Sequence, residues 1–150
     1  RWRLELTGGG GLHQGDEDHS GDGLVVAKVE YEFAGMAYGA LGLRMVPTFV
    51  MPQDHGDTVW GAGVGLAARV YHVKNEQRGL YVEADSQLTG HYPKFDGNSG
   101  SFNFLSGFGA GYKFKKGWHV IVRFDHLSNA GLAKDNSGFN AISAGIGYTF

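Results

Sequence analysis

The sequence predicts an all-β protein, an eight-stranded antiparallel transmembrane β-barrel built as a single domain over residues 1–150. Three observations predict it. Eight segments alternate residue by residue between an apolar row and a row of small, polar or charged side chains; strands do this because successive side chains point to opposite faces. Glycine is abundant, at 26 of 150 residues, while proline is scarce at 3 and aromatics reach 13%, a balance that suits tightly curved sheets and not a disordered chain. The connections alternate between short turns and longer polar loops, the habit of outer-membrane barrels.

In the first strand Trp2, Leu4 and Leu6 alternate with Arg3, Glu5 and Thr7, and the glycines at 8–11 end the strand or let it bend. The polar stretch HQGDEDHSGDG at 13–23 reads as a loop. The second strand, 24–33, sets Val25, Ala27, Val29, Tyr31 and Phe33 against Val26, Lys28, Glu30 and Glu32. After an AGM turn, the third sets Leu41, Leu43, Met45, Pro47 and Phe49 against Ala40, Gly42, Arg44 and Val46. Pro47 has no N–H for the ladder, so a bulge or a strand end is expected there. A polar loop at 52–57 leads to the fourth strand, with Trp60, Ala62, Val64, Leu66, Ala68 and Val70 against Gly61, Gly63, Gly65, Ala67, Arg69 and Tyr71.

The charged stretch KNEQR at 74–78 is a tight turn. In the fifth strand Leu80, Val82, Ala84 and Leu88 oppose Tyr81, Glu83, Asp85 and Gln87, and a loop is expected at 91–100. In the sixth, Phe102, Phe104, Phe108, Ala110 and Tyr112 oppose Asn103, Gly107, Gly109 and Lys113. The KKG turn at 115–117 opens the seventh, where Trp118, Val120, Val122 and Phe124 oppose His119, Ile121, Arg123 and Asp125. Its apolar row runs straight on into His126 and Ser128. After a loop at 130–138, Ile142, Ala144, Ile146, Tyr148 and Phe150 oppose Ala141, Ser143, Gly145 and Gly147.

Which face turns inward follows from size and charge. A barrel of eight strands has an interior just wide enough for side chains, and glycines facing charged residues suit that space. Lys28, Arg44, Arg69, Lys113 and Arg123 balance Glu30, Glu32, Glu83, Asp85 and Asp125, so the charges can pair internally instead of standing buried and alone. The apolar rows then face lipid. A soluble, lipocalin-like carrier would need the reverse. The aromatic ending at Tyr148 and Phe150 resembles the signature read by the bacterial barrel-assembly machinery, which implies the outer membrane with multiple strands crossing it. Short turns on the periplasmic side and longer loops outside place the end of the seventh strand at the cell exterior.

Composition narrows the remaining choices. Net charge is -2 with a pI near 6.4, giving no nucleic-acid signal. The chain has no cysteine, which excludes a disulfide framework and thiolate metal sites. His13, His19, His55, His72, His91 and His119 are read as solvated or interfacial, and the acidic loop at 16–22 lacks EF-hand spacing. No metal and no cofactor is expected.

The end of the seventh strand carries possible chemistry. A serine hydroxyl becomes nucleophilic when a base takes its proton, and His126 and Ser128, two residues apart, project from one strand face. Backbone N–H groups of the Asn129–Ala130–Gly131 turn, together with the Asn129 amide, are suited to an oxyanion. Asn140 shares parity with Ile142 on the adjoining strand and so faces the same side as His126. These groups lie on the greasy face, where an ordinary soluble enzyme would not put them.

The segment FDHLSNAGL at 124–132, Gly138 and the aromatic end resemble the lipid A 3-O-deacylases of the PagL type. The resemblance implies an eight-stranded outer-membrane barrel that hydrolyses an acyl ester of lipid A, within lipopolysaccharide, from its lipid-facing surface. It implies His126 as general base, Ser128 as nucleophile, Asn129 in the oxyanion site and Gly131 as the loop glycine. Where the family places an orienting glutamate, this chain has Asn140. Its amide oxygen can hold the ring without supplying a charge, and Asp135 is an alternative orienter, whereas Asp125 points to the interior. Two readings follow: a serine esterase acting on the 3-O-linked chain, or a catalytically silent barrel with a structural, lipid-binding or partner-binding role. Lipid A, outer-membrane lipid and the assembly machinery are the expected partners, with a homodimer as a candidate assembly.

Overall fold

A segment with a period of two is apolar on one side only, and a sheet closed on itself gives every such segment an interior and an exterior with no free edge. The computed structural model describes residues 1–14, 17–18, 21–53, 57–92, 102–128 and 139–150 and forms this closed barrel. Its strands, numbered in chain order, are β1 Trp2–Gly11, β2 Gly23–Gly35, β3 Gly39–Met51, β4 Val59–Tyr71, β5 Gly79–Tyr92, β6 Phe102–Lys113, β7 Trp118–Ser128 and β8 Phe139–Thr149. Each pairs antiparallel with its chain neighbours, and β1 closes the ring on β8, with Arg3 opposite Thr149 and Gly11 opposite Ala141. His13–Gln14 and Glu17–Asp18 form a separate small pair between β1 and β2. The three tight turns, at 36–38, 72–78 and 114–117, share one end of the barrel with both termini. At Gly117 the backbone takes φ +98, a left-handed turn that glycine adopts at little cost.

The polar rows face inward. Among the described residues, Arg3 and Glu5 join the ten charges expected there, so six cations meet six carboxylates. Glu83 is the hub, at 2.9 Å from Arg69 Nη2 and 3.2 Å from Arg44 Nη2, with Arg123 closer still. Asp85 takes Arg123 at 2.7 Å, and Glu5 takes Lys28 at 3.2 Å and His119 Nε2 at 2.8 Å. Glycines leave room for these side chains. A Cβ at Gly107 would overlap the Asp125 carboxylate, and one at Gly42 the Glu30 carboxylate. Toward the loop end the interior changes character: Leu24, Val26, Val46, Phe49, Met51, Val59, Leu105, Leu127, Phe139 and Ala141 fill it as an apolar plug.

The apolar rows form the outer wall, where Leu4, Leu6, Val64, Leu66, Val82, Phe108, Val122 and Ile146 are all exposed. Aromatic pairs rim the turn end, with ring centroids 5.1 Å apart for Trp2–Tyr31 and for Trp118–Tyr148. Trp60, Tyr92 and Phe102 stand exposed toward the loop end.

Two open expectations resolve, and Phe49, His91 and His119 change place. The glycines at 8–11 continue β1 to its end. The expected irregularity at Pro47 is a register shift between Val46 and Phe49, and the extra residue reverses parity, so Phe49 turns from the apolar outer row into the plug at 0% exposure. Residues 91–92 belong to β5, and His91 faces inward against Asn103 instead of lying in a loop. His119 is not interfacial: it is fully buried against Glu5.

Candidate active site

His126 sits near the loop end of β7 on the outer wall, half-buried, because it continues the row of Val122 and Phe124. The antiparallel register puts it directly between Ser106 on β6 and Asn140 on β8. Its Nδ1 lies 2.5 Å from Asn140 Oδ1. An amide oxygen only accepts, so with Oδ1 toward the ring Nδ1 carries the proton and donates it. Nε2 is then left with its lone pair, the state a general base requires.

Ser128 follows on the same strand at 9% exposure, opposite Phe104, while Leu127 between them enters the apolar plug. Among the described residues His126 and Ser128 share no hydrogen bond. Asn129, Ala130, Gly131 and Asp135 lie outside the described residues. Asp125 faces inward and accepts from Arg123 Nη2 at 3.0 Å. The structure therefore brings His126 and Asn140 together, sets Ser128 beside them on the strand, and leaves Asp125 out. No group of three or more potential metal ligands occurs among the described residues.

Two further polar groups were not picked out from the sequence. Ser86 and Ser106 face outward on β5 and β6, and their Oγ atoms lie 2.8 Å apart. Asn140, His126, Ser106 and Ser86 thus form one polar row across four strands, ending at Leu66 on β4. The signal lay in the alternation, because the apolar rows of both strands are interrupted at these positions. Immediately toward the turn end lies a shallow apolar groove of about 690 Å³, lined by Val82, Ala84, Phe108, Ala110, Phe124 and Ile142 among others.

Comparison with known proteins gives the family and the fold. The family model of lipid A 3-O-deacylase (PagL) matches residues 1–149. The chain belongs to that family. Of solved structures, the crystal structure of the outer membrane enzyme PagL superposes with a TM-score of 0.74 at 18% identity, covering 99% of both chains. The Yersinia pestis outer membrane protein Ail, determined in a phospholipid bilayer nanodisc, superposes with a TM-score of 0.51 at 13% identity over 99% of this chain and 100% of its own. No curated relative matches the chain in sequence. This member of the lipid A 3-O-deacylase family is an outer-membrane β-barrel, so its apolar wall faces lipid and the aromatic rims mark the two interfaces. His126, Asn140, Ser106 and Ser86 stand side by side across β8, β7, β6 and β5.

Proposed function

We propose that this barrel is a serine esterase that removes the 3-O-linked acyl chain of lipid A at its lipid-facing wall, on the side of the outer leaflet. The observation that carries the reading is the hydrogen bond from His126 Nδ1 to Asn140 Oδ1 on the outer wall, in strand register beside Ser128. A polar, proton-bearing pair is costly against hydrocarbon unless it serves a function there. Short turns at one end and long connections at the other support assigning the site to the external side.

On this reading Ser128 Oγ attacks the ester carbonyl as its proton passes to His126 Nε2. The carbonyl π electrons move onto oxygen, and N–H groups of residues 129–131 receive that oxyanion. Collapse expels the sugar oxygen, which takes the proton from His126, and leaves the acyl chain on Ser128. Water then attacks the acyl-serine, giving its proton to His126 and displacing Ser128 Oγ, which regains it. Asn140 holds the imidazole in the Nδ1–H tautomer throughout. Ser128→Ala should abolish the loss of one acyl chain from lipid A seen by mass spectrometry, and undiminished deacylation in that variant would overturn the assignment.

A second reading draws on one residue. Asn140 supplies no negative charge to an imidazolium, where the family resemblance implies a glutamate, so a silent barrel that binds lipid without cleaving it is the alternative. Wild-type protein that binds lipid A without Ser128-dependent cleavage, and gains cleavage on Asn140→Glu, would favour it.

A further inference from the structure

The ion pairs of the lumen leave one cation over. Arg3, Lys28, Arg44, Arg69 and Arg123 each have a carboxylate at ion-pair distance. Lys113, at the turn end of β6, has none among the described residues, although it is only 5% exposed. Its ammonium instead lies 5.9 Å from the centroid of the Tyr71 ring. A ring face is a weaker partner than a carboxylate, and a buried charge without a counter-ion is costly. Lys113 lines an opening of about 250 Å³ where the lumen meets the turn-end rim, together with Arg1, Arg78, Lys115 and Lys116. The carboxylates there are Glu76, bonded to Arg78, and Glu32, 3.4 Å from Arg1. Five cationic side chains against two carboxylates leave an excess of three. The whole chain shares this polarity. The lumen is balanced, Arg1 and the turns carry five cations against Glu76, and the connections at 12–22, 52–58, 93–101 and 129–138 hold eight carboxylates against two lysines. The net charge of -2 thus divides into +4 at the turn end and -6 at the other.

The surroundings of the opening say which anion fits. Phe114 and Phe150 line it as well and stand exposed at the rim, so it faces hydrocarbon on one side and water on the other. Gly79 pairs with Lys113 across β5 and β6, and the next residue, Leu80, heads a shallow apolar groove of about 380 Å³. That groove runs down the outer wall past Val70, Val82 and Ala110. A molecule with a phosphate at the lysines and a hydrocarbon chain starting at Leu80 satisfies both features. We propose that the turn end of this barrel holds one anionic glycerophospholipid, with its phosphodiester at Lys113, Lys115 and Lys116 and an acyl chain in the groove below Leu80. Clustered lysines and arginines at a membrane interface attract such headgroups. With the short turns on the periplasmic side, the adjoining leaflet supplies this lipid. The proposal does not depend on any chemistry at His126.

The test places the full barrel, carrying Trp60→Phe, in phosphatidylcholine vesicles containing a fraction of phosphatidylglycerol. One lipid or the other has brominated chains, which quench tryptophan on contact. The remaining tryptophans report the turn end, since Trp118 follows Gly117 of the opening and Trp2 is hydrogen-bonded to Phe150. A cation at a lipid surface strengthens anionic-lipid binding about fivefold, so three in excess, partly screened, give a preference for phosphatidylglycerol of about tenfold or more. Lys115→Gln/Lys116→Gln brings that preference to about twofold or less, and Lys113→Gln lowers it too in a barrel whose heat-modifiable mobility is intact. Lys74→Gln removes a turn cation outside the opening and leaves the preference nearly unchanged. Equal quenching by the two lipids in the Trp60→Phe barrel overturns the proposal. A loss in Lys74→Gln as large as in Lys115→Gln alone also overturns it, because diffuse attraction would not distinguish the two lysines. Inorganic phosphate, added to the same vesicles at constant ionic strength, should leave the preference in place. Its abolition by low millimolar phosphate would assign the opening to a free anion and overturn the lipid.

Discussion

Replacing Asn140 by glutamate tests whether residue 140 acts through His126. The amide already meets Nδ1 at 2.5 Å through its oxygen, so the ring tautomer is set and the missing component is charge. When His126 takes the serine proton, a carboxylate at residue 140 would face an imidazolium with charge centres about 4 Å apart. That attraction is about 4 kcal/mol at an effective dielectric of 20 and about 1 kcal/mol in bulk water. Both residues are half-buried, so an intermediate value of about 2 kcal/mol applies, equivalent to about 30-fold in kcat. The roughly 10⁴-fold loss for an Asp→Asn exchange in serine proteases includes a wrong tautomer, which is absent here, so the smaller figure is the relevant one. Initial rates of acyl release from lipid A in mixed micelles, read by mass spectrometry, measure it. A folded Asn140→Glu barrel, verified by its heat-modifiable electrophoretic mobility, with kcat equal to or below wild type would refute the argument.

Other expectations concern the barrel itself and the ring. Asn140→Leu removes the acceptor that fixes Nδ1–H and should lower kcat at least tenfold with little change in KM; a fall in KM-dependent binding alone would point to substrate contact instead. Glu83→Gln deletes the carboxylate shared by Arg44, Arg69 and Arg123 and should cost about 3 kcal/mol in denaturant unfolding, because a buried pair broken on one side leaves uncompensated charge. A loss below about 1 kcal/mol would show that the guanidiniums redistribute among the remaining carboxylates. Gly147→Ala would push a Cβ into the Leu4 carbonyl and the His119 ring, so the β1–β8 seam should weaken and the heat-modifiable band shift to lower temperature. Glu76 and Arg78 form a solvent-accessible pair in the 72–78 turn, where the Arg78 hydrogen bond lowers the Glu76 carboxyl pKa from its usual value. Glu76→Gln there should leave the unfolding temperature unchanged.

The architecture was legible because a period of two is written into nearly every segment, and a lumen this narrow admits only balanced charge. Parity failed at one place for a definite reason. A bulge adds a residue that the alternation cannot announce beyond the presence of Pro47, and everything after it on β3 changes face, Phe49 and Met51 included. His119 was placed on the correct face, but its burial depended on Glu5, 114 residues away, a pairing no local pattern contains. At the site, shared parity was enough to bring Asn140 to His126, since β7 and β8 are adjacent. Ser106 lies on the other neighbour of β7, β6, and Ser86 one strand further round, on β5. Their alignment with His126 depends on register across two strand pairs, which hydrophobic patterning leaves open.

His126 and Asn140 open sideways from the barrel wall, not into its interior. On the proposed reading a lipid reaches them by diffusing within a surface, so encounter would be a two-dimensional search. The concentration that matters is moles of substrate per mole of surrounding amphiphile, not moles per litre. Extra detergent at constant enzyme and substrate slows such a protein by diluting the surface, while more micelles of the same composition leave the rate per enzyme alone. A KM quoted in molar units would describe the micelle as much as the protein.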